Sequence, residues 1–142
     1  MTDPVVEVFD VLPPAAEAIR RAVFIEEQSV PEALELDGTD DGYLHWVLSE
    51  GGRPAATLRS RVRDGVLKVG RVATLADHRG RGHARRLMAE AMARGRAEGA
   101  RRAYLSAQEA VIPWYEGLGF VAEGPAYDDA GIPHRDMWAA LA

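Results

Sequence analysis

Arg79-Gly80-Arg81-Gly82-His83-Ala84 follows an apolar run from Leu67 to Leu75 and opens a helical pattern. Arg79, Arg81, Arg85 and Arg86 crowd into this short segment without an acid between them, in a chain whose net charge is -5. A glycine-rich turn from strand to helix lets backbone N–H groups converge on one point. The helix N-terminus adds roughly half a positive charge there, so the segment predicts an anion cradle for a ligand that carries phosphate. The competing reading of the arginines is a solvated basic face.

The helix that follows is marked by Ala84, Leu87, Met88, Ala91 and Met92, an apolar stripe at three- and four-residue spacing that can pack on a sheet. Arg85, Arg86, Glu90, Arg94 and Arg96 fall mostly off the stripe, and Gly99 supplies a stop. Two phosphate motifs fail here. A Walker loop needs Lys-Ser or Lys-Thr after its second glycine, and none is present. The dinucleotide fingerprint needs a third glycine where Arg85 stands.

The length of 142 residues suits one domain, residues 1–142, with a core of useful size, and the 47% apolar fraction argues for a globular chain. With no cysteine, thiol catalysis, disulfides and cysteine-ligated metal are excluded. His45, His78, His83 and His134 show no close ligand spacing, so no metal site is expected. Met1 to Val11 has neither a basic start nor an apolar stretch, and no apolar run approaches the about 18 residues a membrane span needs. A cytoplasmic protein without membrane attachment is the expectation. The acidic balance, and the lack of aromatics interleaved with Arg79 to Arg86, count against nucleic acid as a partner.

Along the chain, Val5 to Phe9 reads as a strand and Ala15 to Glu27 as a helix. Ser29 to Asp41 is acidic and aperiodic, and its stretch Glu32 to Asp41 reads as a solvated loop that could also attract a cationic amine. Tyr43 to Ser49 alternates as a strand; Pro54 to Val62 and Val66 to Leu75 are two more, joined by the hairpin signal Asp64-Gly65. After the arginine-rich helix come a strand (Ala103 to Ala107), a short helix (Val111 to Leu118) and a strand beginning at Gly119 to Ala122. Asp128 to Gly131 reads as a turn, and His134 to Leu141 as a last strand.

Arg79, Gly82 and Ala84 fill the defined positions of Gln/Arg-x-x-Gly-x-Gly/Ala, and the segment resembles the acetyl-CoA loop of the GNAT acyltransferases. The element order resembles that family over nearly the whole chain. A narrower set of residues resembles the ElaA/YjcF-like subgroup: Arg20, Val23, Phe24, Ile25, Glu27, Gln28, Val30 and Pro31; Glu35 and Asp37; His45; Gly70-Arg71-Val72; Gln108; and Gly131-Ile132-Pro133-His134. Ala76 departs from the family's usual proline after the fourth strand, and Thr74 from its usual valine.

The resemblance implies an α/β (α+β) GNAT fold: a mixed, mostly antiparallel sheet of about seven strands, splayed between the fourth and fifth, with flanking helices. It implies acetyl-CoA as cosubstrate and an amine acceptor, with attack in a ternary complex and no covalent intermediate. Val72, Ala73 and Thr74 would bond pantetheine through their main chain, and Gly80, Arg81, Gly82, His83, Ala84 and Arg85, with Arg79, would hold the pyrophosphate. Dimers are frequent in this fold, which makes a homodimer compatible with it. Tyr115 opens Tyr115-Glu116-Gly117-Leu118-Gly119-Phe120, which resembles the family's Tyr-x-x-x-Gly-Phe. A phenol there can protonate the departing thiolate or, alternatively, pack beneath Phe120 and only orient the thioester.

Glu27, Gln28, His45, Gln108 and His134 are polar residues beside apolar, element-forming stretches, where each needs a partner. An amine must lose a proton before attack, and Glu27 and His134 are the candidate bases, with Gln28, His45 and Gln108 lining the acceptor site. The alternatives are a salt bridge from Glu27 to Arg20 or Arg21 and structural roles for both histidines. A non-catalytic acyl-CoA-binding module is the other functional reading.

Overall fold

The computed structural model of the chain describes residues 3–141. Seven strands form one sheet in the order β1-β2-β3-β4-β5-β7-β6. They are β1 (Val5–Phe9), β2 (Leu44–Glu50), β3 (Arg53–Arg63), β4 (Val66–Thr74), β5 (Arg102–Gln108), β6 (Val121–Asp129) and β7 (Ile132–Ala140). Helix α1 (Pro14–Arg20) continues into a wider-wound segment, Arg21–Glu27; α2 is Glu32–Glu35, α3 His83–Ala97 and α4 Ile112–Glu116.

The β3–β4 hairpin follows from Asp64-Gly65, both at positive φ (53° and 75°), the pair of left-handed residues that a two-residue turn between twisted strands requires. Every neighbouring pair of strands is antiparallel except β4 and β5. That pair is parallel, as a crossover through α3 demands. Its register covers only Val66↔Arg102, Leu67↔Ala103 and Lys68↔Tyr104, after which the two strands part.

The expected stripe of α3 is observed, with Leu87, Met88 and Ala91 buried against Leu48, Leu58, Leu67, Val69, Leu105 and Met137. A second cluster joins Ile19, Val23 and Phe24 of α1 and its continuation to Val30 and Ala73. The first cluster holds α3 on the sheet, and the second holds α1 and its continuation there.

Two sequence expectations change. The stretch 32–41 is solvated only in part: Glu32, Asp37 and Asp41 are exposed, but Glu35 and Asp40 are not. Glu35, only 3% exposed, is tied to Arg20 (2.6 Å) and Arg71 (3.0 Å). Asp40 bridges Arg20 (2.7 Å) and Arg59 (2.9 Å). Aperiodic acids read as solvated because their counter-charges lie on α1, β3 and β4, far along the chain. The second change is at the C-terminal hairpin, where β6 and β7 run through most of the expected turn and leave only Ala130 and Gly131 (φ 54° and 81°) between them.

Candidate active site

The parting of β4 from β5 opens a cleft of about 930 Å³ whose lining runs from the Gly80–Gly82 loop to the ends of β5 and β7. Opposite β3, β4 carries one extra residue: Arg59 pairs with Gly70 and Thr57 with Ala73. Arg71 takes the left-handed φ of 52° this bulge imposes. Val72, Ala73 and Thr74 follow it along the cleft, on an edge that β5 no longer pairs.

At the outer end, Gly80 and Gly82 both have φ near 78°, and a Cβ at either would touch nothing within 4 Å. Gly82 caps α3 without a side-chain hydrogen bond, so the first-turn N–H groups of His83, Ala84 and Arg85 have no partner within the helix. The arginines divide by partner. Arg79 grips Glu27 through two bonds (2.7 and 2.6 Å) and donates Nε–H to the Thr74 carbonyl (3.0 Å). Arg81 pairs with Glu50 and Arg86 with Glu90. Arg85 lines the cleft and makes no ion pair among the described residues. Arg81 does not line the cleft.

Tyr115, 7% exposed, sits in the wall with its ring edge-on to Trp114 (4.9 Å) and Phe120 (6.0 Å). Burial pushes its phenol well above the ordinary value, so it carries its proton throughout the working pH range. Its hydroxyl has no hydrogen bond among the described residues.

Glu27 forms neither salt bridge anticipated in its own helix; Arg79, fifty-two residues on, takes its carboxylate. The Arg79 hydrogen bond holds that carboxyl below its usual range. Gln28 and Gln108 meet, the latter's Nε2–H donating to Gln28 Oε1 (2.9 Å). Gln108 lies opposite His134 in the β5–β7 register, and His134 stacks on Tyr127. His134 Nδ1–H donates to the Ile132 carbonyl (2.7 Å), so in the neutral ring Nε2 is the lone-pair nitrogen.

His45 does not join this group. It is 1% exposed, lies outside the cleft lining, and its Nε2 is 3.3 Å from the Asp40 carbonyl. No residue of β2 lines the cleft, and instead of the expected substrate contact His45 supports the Asp40 turn.

Sequence reasoning missed Tyr104, Ser106, Tyr127 and Asp136. Both tyrosine hydroxyls donate to Asp136 Oδ1 (2.7 and 2.6 Å), and Ser106 bonds the Tyr127 hydroxyl. Burial raises both phenols. The signal was there: Tyr104, Ser106 and Gln108 share one face of β5, and His134 and Asp136 one face of β7.

A cleft between parted parallel strands, entered past a glycine-bearing helix N-terminus, is the architecture of an acyl-CoA N-acyltransferase. The profile of the family described as "Acetyltransferase (GNAT) domain" matches residues 11–141, and the chain belongs to that family, in its ElaA/YjcF-like subgroup. It is 34% identical over 121 residues to the Bacillus subtilis protein named "Uncharacterized N-acetyltransferase YjcF", covering 84% of this chain and 86% of that one. The structure is similar to an acyl-CoA N-acyltransferase from Pseudomonas aeruginosa (29% identity, TM-score 0.84, covering 97% of this chain and 100% of that one). It is also similar to Escherichia coli ElaA (25% identity, TM-score 0.80, 95% and 99% covered). Family and fold support acyl-CoA-dependent N-acyltransferase activity. No described helix is long and apolar enough to cross a membrane.

Proposed function

We propose that the protein transfers the acetyl group of acetyl-CoA to a primary amine by direct attack in a ternary complex. The observation that carries this reading is the parting of β4 from β5 after three residue pairs, directly beside the unpaired amides that open α3. An extended pantetheine arm fits such an edge as an added strand would, bonded by the main chain of Val72, Ala73 and Thr74. The diphosphate then lies on Gly80, Gly82, His83, Ala84 and Arg85, with Arg85 the cation free to meet it and Arg79 and Arg81 able to exchange their carboxylates for it.

With the thioester held near Tyr115, the acceptor nitrogen attacks the carbonyl carbon. The C–N bond forms, the C–S bond breaks, and β4 amides stabilise the oxygen that gains charge. His134 Nε2 takes the amine proton directly or through water, and Glu27 becomes available as a second base once Arg79 turns to phosphate. Tyr115 donates to the leaving sulfur. Its raised pKa makes full transfer lag behind C–S cleavage, so the hydrogen bond to sulfur carries the effect. Gln28 and Gln108 orient the acceptor. This acyl transfer calls on no metal, and we assign it to the whole chain as one cytoplasmic domain.

Calorimetric titration with acetyl-CoA, with ATP as comparator, tests the reading. The expected result is one site that prefers acetyl-CoA and is competed by CoA. Equal or tighter binding of ATP, or no heat with acetyl-CoA, overturns it.

A further inference from the structure

Glu50 meets His78 and His83, twenty-eight and more residues on, where β2 ends against the start of α3. Glu50 Oε1 lies 3.0 Å from His78 Nδ1, and Glu50 Oε2 lies 3.3 Å from His83 Nε2. One ligand atom from each of the three falls within 4.8 Å of the others. His83 is 4% exposed, and its Nε2 is buried without a hydrogen-bond partner, off hydrogen-bonding geometry to the carboxylate it faces. A buried polar atom left so is costly unless something else meets its lone pair.

We propose that Glu50, His78 and His83 bind a zinc-class divalent cation, a late first-row metal ion held by two imidazoles and one carboxylate. Two neutral imidazoles and a carboxylate suit such an ion, which takes nitrogen and oxygen at about 2.0–2.2 Å and leaves a fourth position for water or an anion oxygen. Closing the present spacing of up to 4.8 Å to the roughly 3.4 Å ligand separation that a tetrahedral site sets requires an inward shift of up to about 1.4 Å. Two of the ligands can make it: His78 sits on a one-turn helix (Ala76–His78), and Glu50 abuts the Gly51-Gly52 turn. His83, first residue of α3, stays fixed.

Arg81 competes for the site. Its guanidinium pairs with Glu50 Oε1, the oxygen that also faces His78. Half exposed, it swings into solvent when a dication takes the carboxylate. The ion ties β2 to the mouth of α3. The absence of a metal expected from sequence rested on spacing along the chain, which hides a carboxylate brought in from a neighbouring strand.

The test uses tag-free, chelator-stripped protein titrated with Zn²⁺, and with Co²⁺ followed by its visible absorption, in the absence of CoA. Its outcome is therefore independent of the acyltransfer reading. One equivalent binds the wild type with micromolar or tighter affinity. Glu50→Gln, His78→Ala and His83→Ala each weaken binding by about tenfold or more, while Arg81→Ala tightens it. Circular dichroism checks folding, and Glu50→Gln and His78→Ala, being partly exposed, keep the test valid if His83→Ala does not fold. No binding by the wild type overturns the proposal, as does an affinity that all three ligand substitutions leave unchanged.

Discussion

Gly82 offers a direct probe of the diphosphate cradle, because three substitutions there share one backbone penalty and differ only in charge. The residue caps α3 at φ 78°, a conformation costing any L-side chain about 1–2 kcal/mol, and an added Cβ meets nothing within 4 Å. Gly82→Ala, Gly82→Glu and Gly82→Lys therefore carry the same strain and no clash. Against a bound diphosphate of about two negative charges, a glutamate carboxylate about 6 Å away in an effective dielectric of about 40 is unfavourable by about 3 kcal/mol. That corresponds to about a hundredfold in Kd between the Glu and Ala variants. Lysine moves the affinity the other way. Titration calorimetry with CoA at low salt reads the three values, and about 1 M salt, where the Debye length is about 3 Å, collapses the difference. Equal CoA affinity for folded Gly82→Ala and Gly82→Glu at low salt refutes the placement of the diphosphate on this loop.

Tyr115→Phe removes a hydroxyl without hydrogen-bond partners among the described residues, so kcat falls by about a hundredfold or more while the melting temperature and the KM for acetyl-CoA stay close to wild type. A kcat within twofold of wild type assigns Tyr115 to packing. Asp40→Asn breaks the bridge to Arg20 and Arg59 and lowers stability by about 3 kcal/mol in urea unfolding at pH 7. Burial would raise this carboxyl, but the two arginines hold it below its ordinary value of 3.8. A depressed folded-state pKa gives stability that is present above the unfolded value and lost as pH falls, so the wild-type advantage shrinks below about pH 4. Gly95→Ala improves helix propensity by about 1 kcal/mol. Its Cβ would lie 2.9 Å from Leu67 Cδ2 and 3.2 Å from Leu67 Cβ, and Leu67 is itself buried. Overpacking of about 2 kcal/mol wins, and the melt shows a net loss; a gain would mean Leu67 relaxes freely.

The fold was readable because its decisive signals are local. Asp64-Gly65 announces a hairpin, the Leu87-Met88-Ala91 stripe a helix on a sheet, and Gly80 and Gly82 a turn that only their φ values permit. The proposed cradle rests on the same kind of local signal, since all its amides come from one loop. What escaped depends on register. Tyr104 and Ser106 follow from Gln108, and Asp136 from His134, only once alternation on β5 and β7 is known. Glu27 was matched to the wrong arginine because Arg20 and Arg21 are near in sequence, whereas folding delivers Arg79. Glu50 went unnoticed beside His78 and His83 because β2 brings it there from twenty-eight residues away. Ion pairs between distant segments carry no periodicity, so a charge pattern alone cannot name the partner.

The most direct test of the central claim is acceptor-dependent release of free CoA thiol from acetyl-CoA across a panel of primary amines, with the products weighed by mass spectrometry. The account predicts that at least one amine gains a single acetyl group on nitrogen in step with thiol release, and that Tyr115→Phe slows both together. Tight acetyl-CoA binding with no amine acetylated, and thiol release no faster than in buffer, would contradict it.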